Sequence, residues 1–187
     1  LNRYQTVGIV GDRSKVVPLL KNMMISLCTS HFYEDVRIVG IFDEKELRTW
    51  EMLRWLPHMW DAEKQSRFLS FDGESAERIS DTFHEILHQR LSERQGYEER
   101  RPAPHYVFVL GSYEAMKRSK LMADLLRNDP MAGATTIFAY NLGDVPSATQ
   151  RTFLPHECQF VVDTDGVNGP CAFEFARADK RVLFTLD

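Results

Sequence analysis

Short, nearly continuous apolar runs alternate along this chain with longer amphipathic stretches. Residues 6–10 form an apolar run closed by Gly11-Asp12-Arg13, which predicts a buried strand and its turn. The spacing then predicts a helix over 14–30 with Ser14 as N-cap. Val16, Val17, Leu19, Leu20, Met23, Met24 and Leu27 spread around much of its circumference, as in a helix sandwiched against a sheet. Residues 36–42 read as a second buried strand ending at Asp43, 44–53 as helix, and 67–70 as a short third strand. An amphipathic helix is predicted over 75–95, followed by a charged loop over 95–103. Residues 105–110 are the most apolar strand, 113–128 a helix stopped by Pro130, and 135–140 a further strand. Two runs, 159–162 and 172–175, bracket Asp165-Gly166 and Asn168-Gly169, a hairpin pattern, and 181–186 adds an edge strand.

Strand–helix alternation with apolar strands implies a mostly parallel sheet covered on both faces. The expected architecture is one three-layer α/β domain over 1–187 with a C-terminal antiparallel hairpin extension. Its 187 residues suit a single domain, and 43% hydrophobic against 27% charged residues is the balance of a chain with a real core. Net charge is −4. That argues against a surface that tracks nucleic acid, whose affinity rests on neutralising phosphates. No run approaches the ~20 apolar residues of a membrane span. The chain opens Leu1-Asn2-Arg3 without methionine, which predicts a fragment of a larger protein. Cys28 reads as a small core residue. Cys158 and Cys171 flank the hairpin and leave a disulfide as an alternative, although an odd number of cysteines without CxxC spacing favours free thiols.

Candidate chemistry concentrates at the first turn. A phosphate-binding P-loop needs G-x-x-x-x-G-K-[ST], with glycines for backbone wrapping, lysine for the β/γ-phosphates and a hydroxyl for Mg²⁺. Here Gly11, Asp12, Arg13, Ser14 and Lys15 occupy that place in a degenerate form. Ser14 replaces the second glycine, Val16 replaces the hydroxyl residue, Gly11 lies too close to Lys15, and Asp12 adds negative charge. An acid should end a buried strand to place Mg²⁺, yet 105–110 ends in Gly111-Ser112. Asp43-Glu44 has the right pattern on the second strand, and a solvated helix start explains it equally well.

His84-Glu85-Ile86-Leu87-His88 matches the H-E-x-x-H zinc pattern. Ala76, Ile79, Phe83, Ile86 and Leu87 define the apolar stripe, and at ~100° per residue the two histidines fall off it. A solvated helix face is therefore expected and no metal ligand is assigned. His156-Glu157-Cys158 reads as a loop entering a strand, and no G-x-S-x-G nucleophile pattern is present.

The segment Leu53-Arg54-Trp55-Leu56-Pro57-His58-Met59-Trp60-Asp61, with Arg67-Phe68-Leu69 after it, closely resembles the LRWLPHxWD…RFL pattern of EssC-type type VII secretion motor proteins. Residues 32–39 resemble the family's YEDVKIV strand entry, and 104–107 its PHYV strand start. The resemblance implies a RecA/FtsK-like P-loop fold and the first, membrane-proximal, degenerate ATPase-like domain of an FtsK/SpoIIIE-like motor. It implies a parent with forkhead-associated modules, membrane helices and further ATPase domains, anchored with this part on the cytoplasmic side of the bacterial membrane. Relatives commonly carry acids where this chain has Gly111-Ser112. The implied function is non-catalytic coupling or assembly within the motor during effector export, with no cofactor here and with ATP and Mg²⁺ in the parent's other domains. The alternative is an active NTPase using the atypical loop. Implied partners are adjacent ATPase domains of the same chain and secretion-machinery subunits, in an oligomeric parent and without nucleic acid. Trp55, His58 and Trp60 are the candidate docking residues; the competing reading is that they fill a local core.

Overall fold

The computed structural model describes residues 4–92, 102–111, 119–127, 129, 132–141, 158–166, 168–174, 176 and 180–186. Among the described residues, eight strands form one sheet: β1 (Thr6–Gly11), β2 (Val36–Ile41), β3 (Leu69–Ser70), β4 (His105–Leu110), β5 (Ala134–Asn141), β6 (Phe160–Asp163), β7 (Cys171–Glu174) and β8 (Val182–Leu183). Their order is β3-β2-β4-β5-β1-β6-β7-β8. The pairings from β3 through β6 are parallel, and β6-β7 and β7-β8 are antiparallel. This is the expected mostly parallel sheet with a C-terminal hairpin extension. First strand β1 sits inside the sheet between β5 and β6, with Val10 opposite Tyr140 on one side and Asp163 on the other.

Alternation along β4 divides the core into two layers. Val107 and Val109 join Ile9, Leu20, Met24, Trp50 and Met59 on the face covered by α1 (Arg13–Ser30) and the tryptophan segment. Tyr106, Phe108 and Leu110 join Phe83 and Leu87 on the face covered by α3 (Gly73–Ser92) and α4 (Lys120–Leu126). Phe83 stands edge-on to Phe68, Tyr106 and Phe108 at 4.9–5.2 Å between ring centres. Such pairs add ~1 kcal/mol each to the burial of the rings.

Several local expectations shift. Helix α1 begins at Arg13 rather than Ser14, because the Asp12 carboxylate accepts from the Ser14 N–H at 2.8 Å and caps the helix. It packs against the sheet with Val16, Leu20 and Met24 fully buried and Val17, Leu19, Met23 and Leu27 partly buried beside them, while Ile25 is exposed. Helix α3 starts two residues earlier than expected, since Asp72 takes the Ser75 N–H at 2.8 Å. Residues 44–53 do not make one helix. A 3₁₀ turn (Glu44–Glu46) leads into the single turn α2 (Leu47–Trp50), then into 3₁₀ turns Glu51–Trp55 and Pro57–Met59. The expected loop over 95–103 and the helix over 113–128 are described only in part. His156-Glu157 lies outside the described residues.

Cys158 precedes β6 by two residues, while Cys171 pairs with Asp163 at its far end. At ~3.3 Å per residue their separation is roughly 15 Å, beyond the ~7 Å a disulfide spans. None of the three cysteines forms a disulfide.

Candidate functional site

The turn after β1 is shaped from both sides. Gly11 has φ 142°, a conformation that favours glycine, and an added Cβ would collide with the Thr164 side chain. Thr164 is fully buried and donates its N–H to the Val10 carbonyl at 2.9 Å, with its hydroxyl on the same oxygen at 3.3 Å. The chain leaving β6 is thereby fastened beside the chain leaving β1. Asp165 follows, and its carboxylate accepts from the Asp12 N–H and from the Lys15 ammonium.

Other donors of the turn are also engaged. Ser14 N–H goes to the Asp12 carboxylate, as does the Ser14 hydroxyl. Lys15 and Val16 N–H groups both go to the Asp12 carbonyl, at 3.0 and 2.9 Å. Arg13 turns the other way, pairing with Glu46 and reaching the Thr49 hydroxyl at 3.4 Å. The electrostatics follow from these contacts. The hydrogen bond from Lys15 holds the Asp165 carboxyl below its ordinary range, and the same bond raises the Lys15 ammonium. Hydrogen bonds from the Ser14 hydroxyl and N–H lower Asp12.

Glu46, which sequence reasoning missed, is the acid at the centre of this end of the sheet. It is 5% exposed and accepts from the Trp50 indole N–H at 2.9 Å in addition to Arg13. Its carboxylate lies close to the end of β4, 3.4 Å from where a Gly111 Cβ would stand. That same Cβ would lie 2.5 Å from the Phe42 ring, so the position after β4 has no room for a side chain. Asp43, by contrast, caps the turn after β2 through the Lys45 N–H at 3.2 Å. The only sequence signal for Glu46 was its spacing of four from Trp50.

A Mg²⁺–nucleotide fits these residues poorly. The residue after Lys15 is a buried valine, and the cations at positions 13 and 15 face internal carboxylates.

The tryptophan segment divides its residues between core and surface. Trp50 is 2% exposed and stacks on Phe42 at 4.6 Å. His58 is 4% exposed, with Nε2 against the His31 carbonyl at 2.9 Å, and belongs to the interior. Trp60 is half-buried under the Arg67 guanidinium, 4.3 Å from its ring centre. Trp55 is 77% exposed. Of the three docking candidates, Trp55 alone presents its ring to solvent. Arg37, 6% exposed, holds the segment by donating to the Trp60 carbonyl at 2.5 Å and to those of Pro57 and Asp61 at 3.4 Å.

His84 of the H-E-x-x-H run pairs with Asp124 across α3 and α4, while His88 is exposed. No group of three metal-ligating side chains occurs among the described residues. Likewise, no described helix is long and apolar enough to cross a membrane.

A mostly parallel sheet whose first strand lies inside it and runs through a turn into a long helix is a three-layer α/β architecture. Solved ATPases 2 and 3 of Thermomonospora curvata EccC, in complex with a signal sequence peptide, share it with a TM-score of 0.65 at 15% identity, over 89% of this chain and 31% of that one. In sequence the chain is similar to type VII secretion proteins. It is 26% identical over 136 residues to the ESX secretion system protein EccC of Geobacillus thermodenitrificans, and 24% identical over 133 residues to YukB of Bacillus subtilis. Those alignments take in 73% and 71% of this chain but 9% of each relative's length. No family model matches.

Proposed function

We propose that this domain is a non-catalytic coupling or assembly unit of a type VII secretion motor, which supports effector export without turning over nucleotide itself. One observation carries the reading: the Lys15 ammonium, which a working loop would offer to phosphate, is paired with Asp165. An entering triphosphate would meet the Asp12 and Asp165 carboxylates at the turn, and like charges at this range repel. Val16 supplies no hydroxyl for Mg²⁺, and Glu46 is engaged by Arg13 and Trp50. ATP and Mg²⁺ are then the business of other ATPase domains in the parent chain. This domain's partners are those domains and the secretion machinery, on the cytoplasmic side of a membrane-anchored, oligomeric parent. The net charge of −4 favours protein partners over nucleic acid.

The test is a calorimetric titration with Mg²⁺–ATP beside a phosphate-release assay. The expected result is no binding heat and no turnover above a buffer control. Turnover that disappears in Lys15→Ala would overturn the proposal in favour of an active NTPase with an atypical loop.

A further inference from the structure

Helix α3 carries two imidazoles that the proposed function does not use. His84 and His88 stand one helical turn apart, with their ring centres 6.1 Å from each other. The His84 side chain is 30% exposed and His88 is exposed, so an ion from solvent can reach both rings. The helical phase that keeps them off the apolar stripe is what opens them to it. A second helix fixes the first of the pair. The Asp124 carboxylate of α4, only 7% exposed, accepts from His84 Nδ1 across the helix interface. That bond sets the tautomer, with the proton on Nδ1 and the lone pair on Nε2. The other Asp124 oxygen lies 3.8 Å from Arg127, so the carboxylate is held behind the histidine. A carboxylate on the far ring nitrogen is the arrangement that orients an imidazole toward a metal. Among the described residues no hydrogen bond occupies the His88 ring.

We propose that His84 and His88 form a two-histidine chelate for a divalent transition ion of the zinc type, with Asp124 as its outer carboxylate and water completing the coordination. Imidazole nitrogen selects such ions over Mg²⁺ and Ca²⁺, which prefer oxygen ligands. With metal–nitrogen bonds of ~2.0–2.1 Å, tetrahedral coordination sets the two ring centres ~5 Å apart. The rings therefore need to close by about 1 Å, which a rotamer adjustment of exposed His88 supplies. The pair lacks what a zinc hydrolase requires, since no third side-chain ligand joins it among the described residues. Two ligands give a labile site with a structural effect. An ion on Nε2 polarises His84, strengthens its bond to Asp124 and so staples α4 to α3.

The test titrates Zn²⁺ by calorimetry, with Mg²⁺ as control, into the wild-type chain, His88→Ala and Asp124→Asn. Wild type is expected to bind one Zn²⁺ per chain and to give no Mg²⁺ heat. His88→Ala removes an exposed ring without disturbing the fold, and should weaken binding about tenfold or more by turning a chelate into a single ligand. Asp124→Asn should weaken it about tenfold through the outer contact alone. Imidazole nitrogen NMR on the wild type gives a readout that needs no variant: Zn²⁺ should shift His84 Nε2 and the His88 ring while His84 Nδ1 stays protonated. Absence of zinc heat in wild type would overturn the proposal. Binding that survives His88→Ala undiminished would also overturn it, by placing the ion elsewhere. Ligation at His84 Nδ1, or a folded Asp124→Asn chain that binds as tightly as wild type, would remove Asp124 from the site.

Discussion

Two titratable residues show how local contacts set behaviour that bulk composition hides. Asp165 has a lowered carboxyl in the fold, so its contribution to stability is fully present above the unfolded value near 3.8 and is lost as pH falls through the folded one. Lys15 has the opposite sign: raised above 10.5, it contributes below that pH and loses its contribution as pH rises through the folded value. The stability difference between wild type and Asp165→Asn should thus be flat from about pH 5 to 9 and narrow at both extremes. Urea unfolding midpoints across pH measure this, and a difference that varied most near neutrality would refute the assignment. Cys28 offers an independent check. Burial pushes its thiol up to about 11. Relative to an ordinary thiol at 9.0, its thiolate fraction at neutral pH falls by roughly two orders of magnitude, and alkylation should slow accordingly. Cys158 and Cys171 are buried, so iodoacetamide should label none of the three rapidly before unfolding.

At the scale of elements, the tryptophan segment separates packing from display within six residues. Trp50→Ala empties a site stacked on Phe42 and leaves Glu46 without its indole donor, a loss of ~3–5 kcal/mol in denaturant unfolding. Trp55→Ala, at an exposed site, should change stability by only about ±0.5 kcal/mol. Arg37→Ala strips donors from carbonyls of the segment's last turn and should cost ~2–4 kcal/mol despite breaking no carboxylate pair. Equal losses at Trp50 and Trp55 would contradict this division. The strands of this fold were legible in sequence, because buried parallel strands are apolar runs and nothing else competes for them. Helix starts were not placed correctly, for one recurring reason. Ser14 looks like a cap and Ser75 like a first helical residue, but Asp12 and Asp72 lie just upstream and their carboxylates accept from the N–H groups of those serines. A charged acceptor outcompetes a neutral hydroxyl at a helix N-terminus. The helix over 44–53 broke into 3₁₀ turns where Glu46 and Trp50 turn inward and Leu47 and Met52 outward. Periodicity alone does not show that competition. The candidate loop was legible as residues and illegible as a circuit. Its lysine partner stands 150 residues away in sequence, joined by strand pairing that local pattern cannot reveal.

For the whole molecule, the question is what a domain with its loop cations internally paired contributes to a much longer protein. The matched relatives are far longer than this chain, which aligns with 9% of their length. On the proposed function its role is mechanical and is exercised through contact with neighbouring domains. Trp55 is then the residue to test, since an exposed tryptophan can anchor an interface at ~2 kcal/mol or more when it becomes buried there. His58 and Trp60 serve as internal comparisons: one is interior and the other is covered by Arg67, so truncating either disturbs the fold first. The experiment places Trp55→Ala in the full-length parent and follows both the melting of this domain and export of effector into the medium. The expected outcome is an unchanged melting temperature with export reduced several-fold, alongside His58→Ala, which lowers the melting temperature by several degrees. Normal export by a folded Trp55→Ala protein would remove this ring from the docking surface. Because the variant alters neither the turn after β1 nor the nucleotide sites of other domains, a loss of export with folding intact reports on assembly rather than on catalysis.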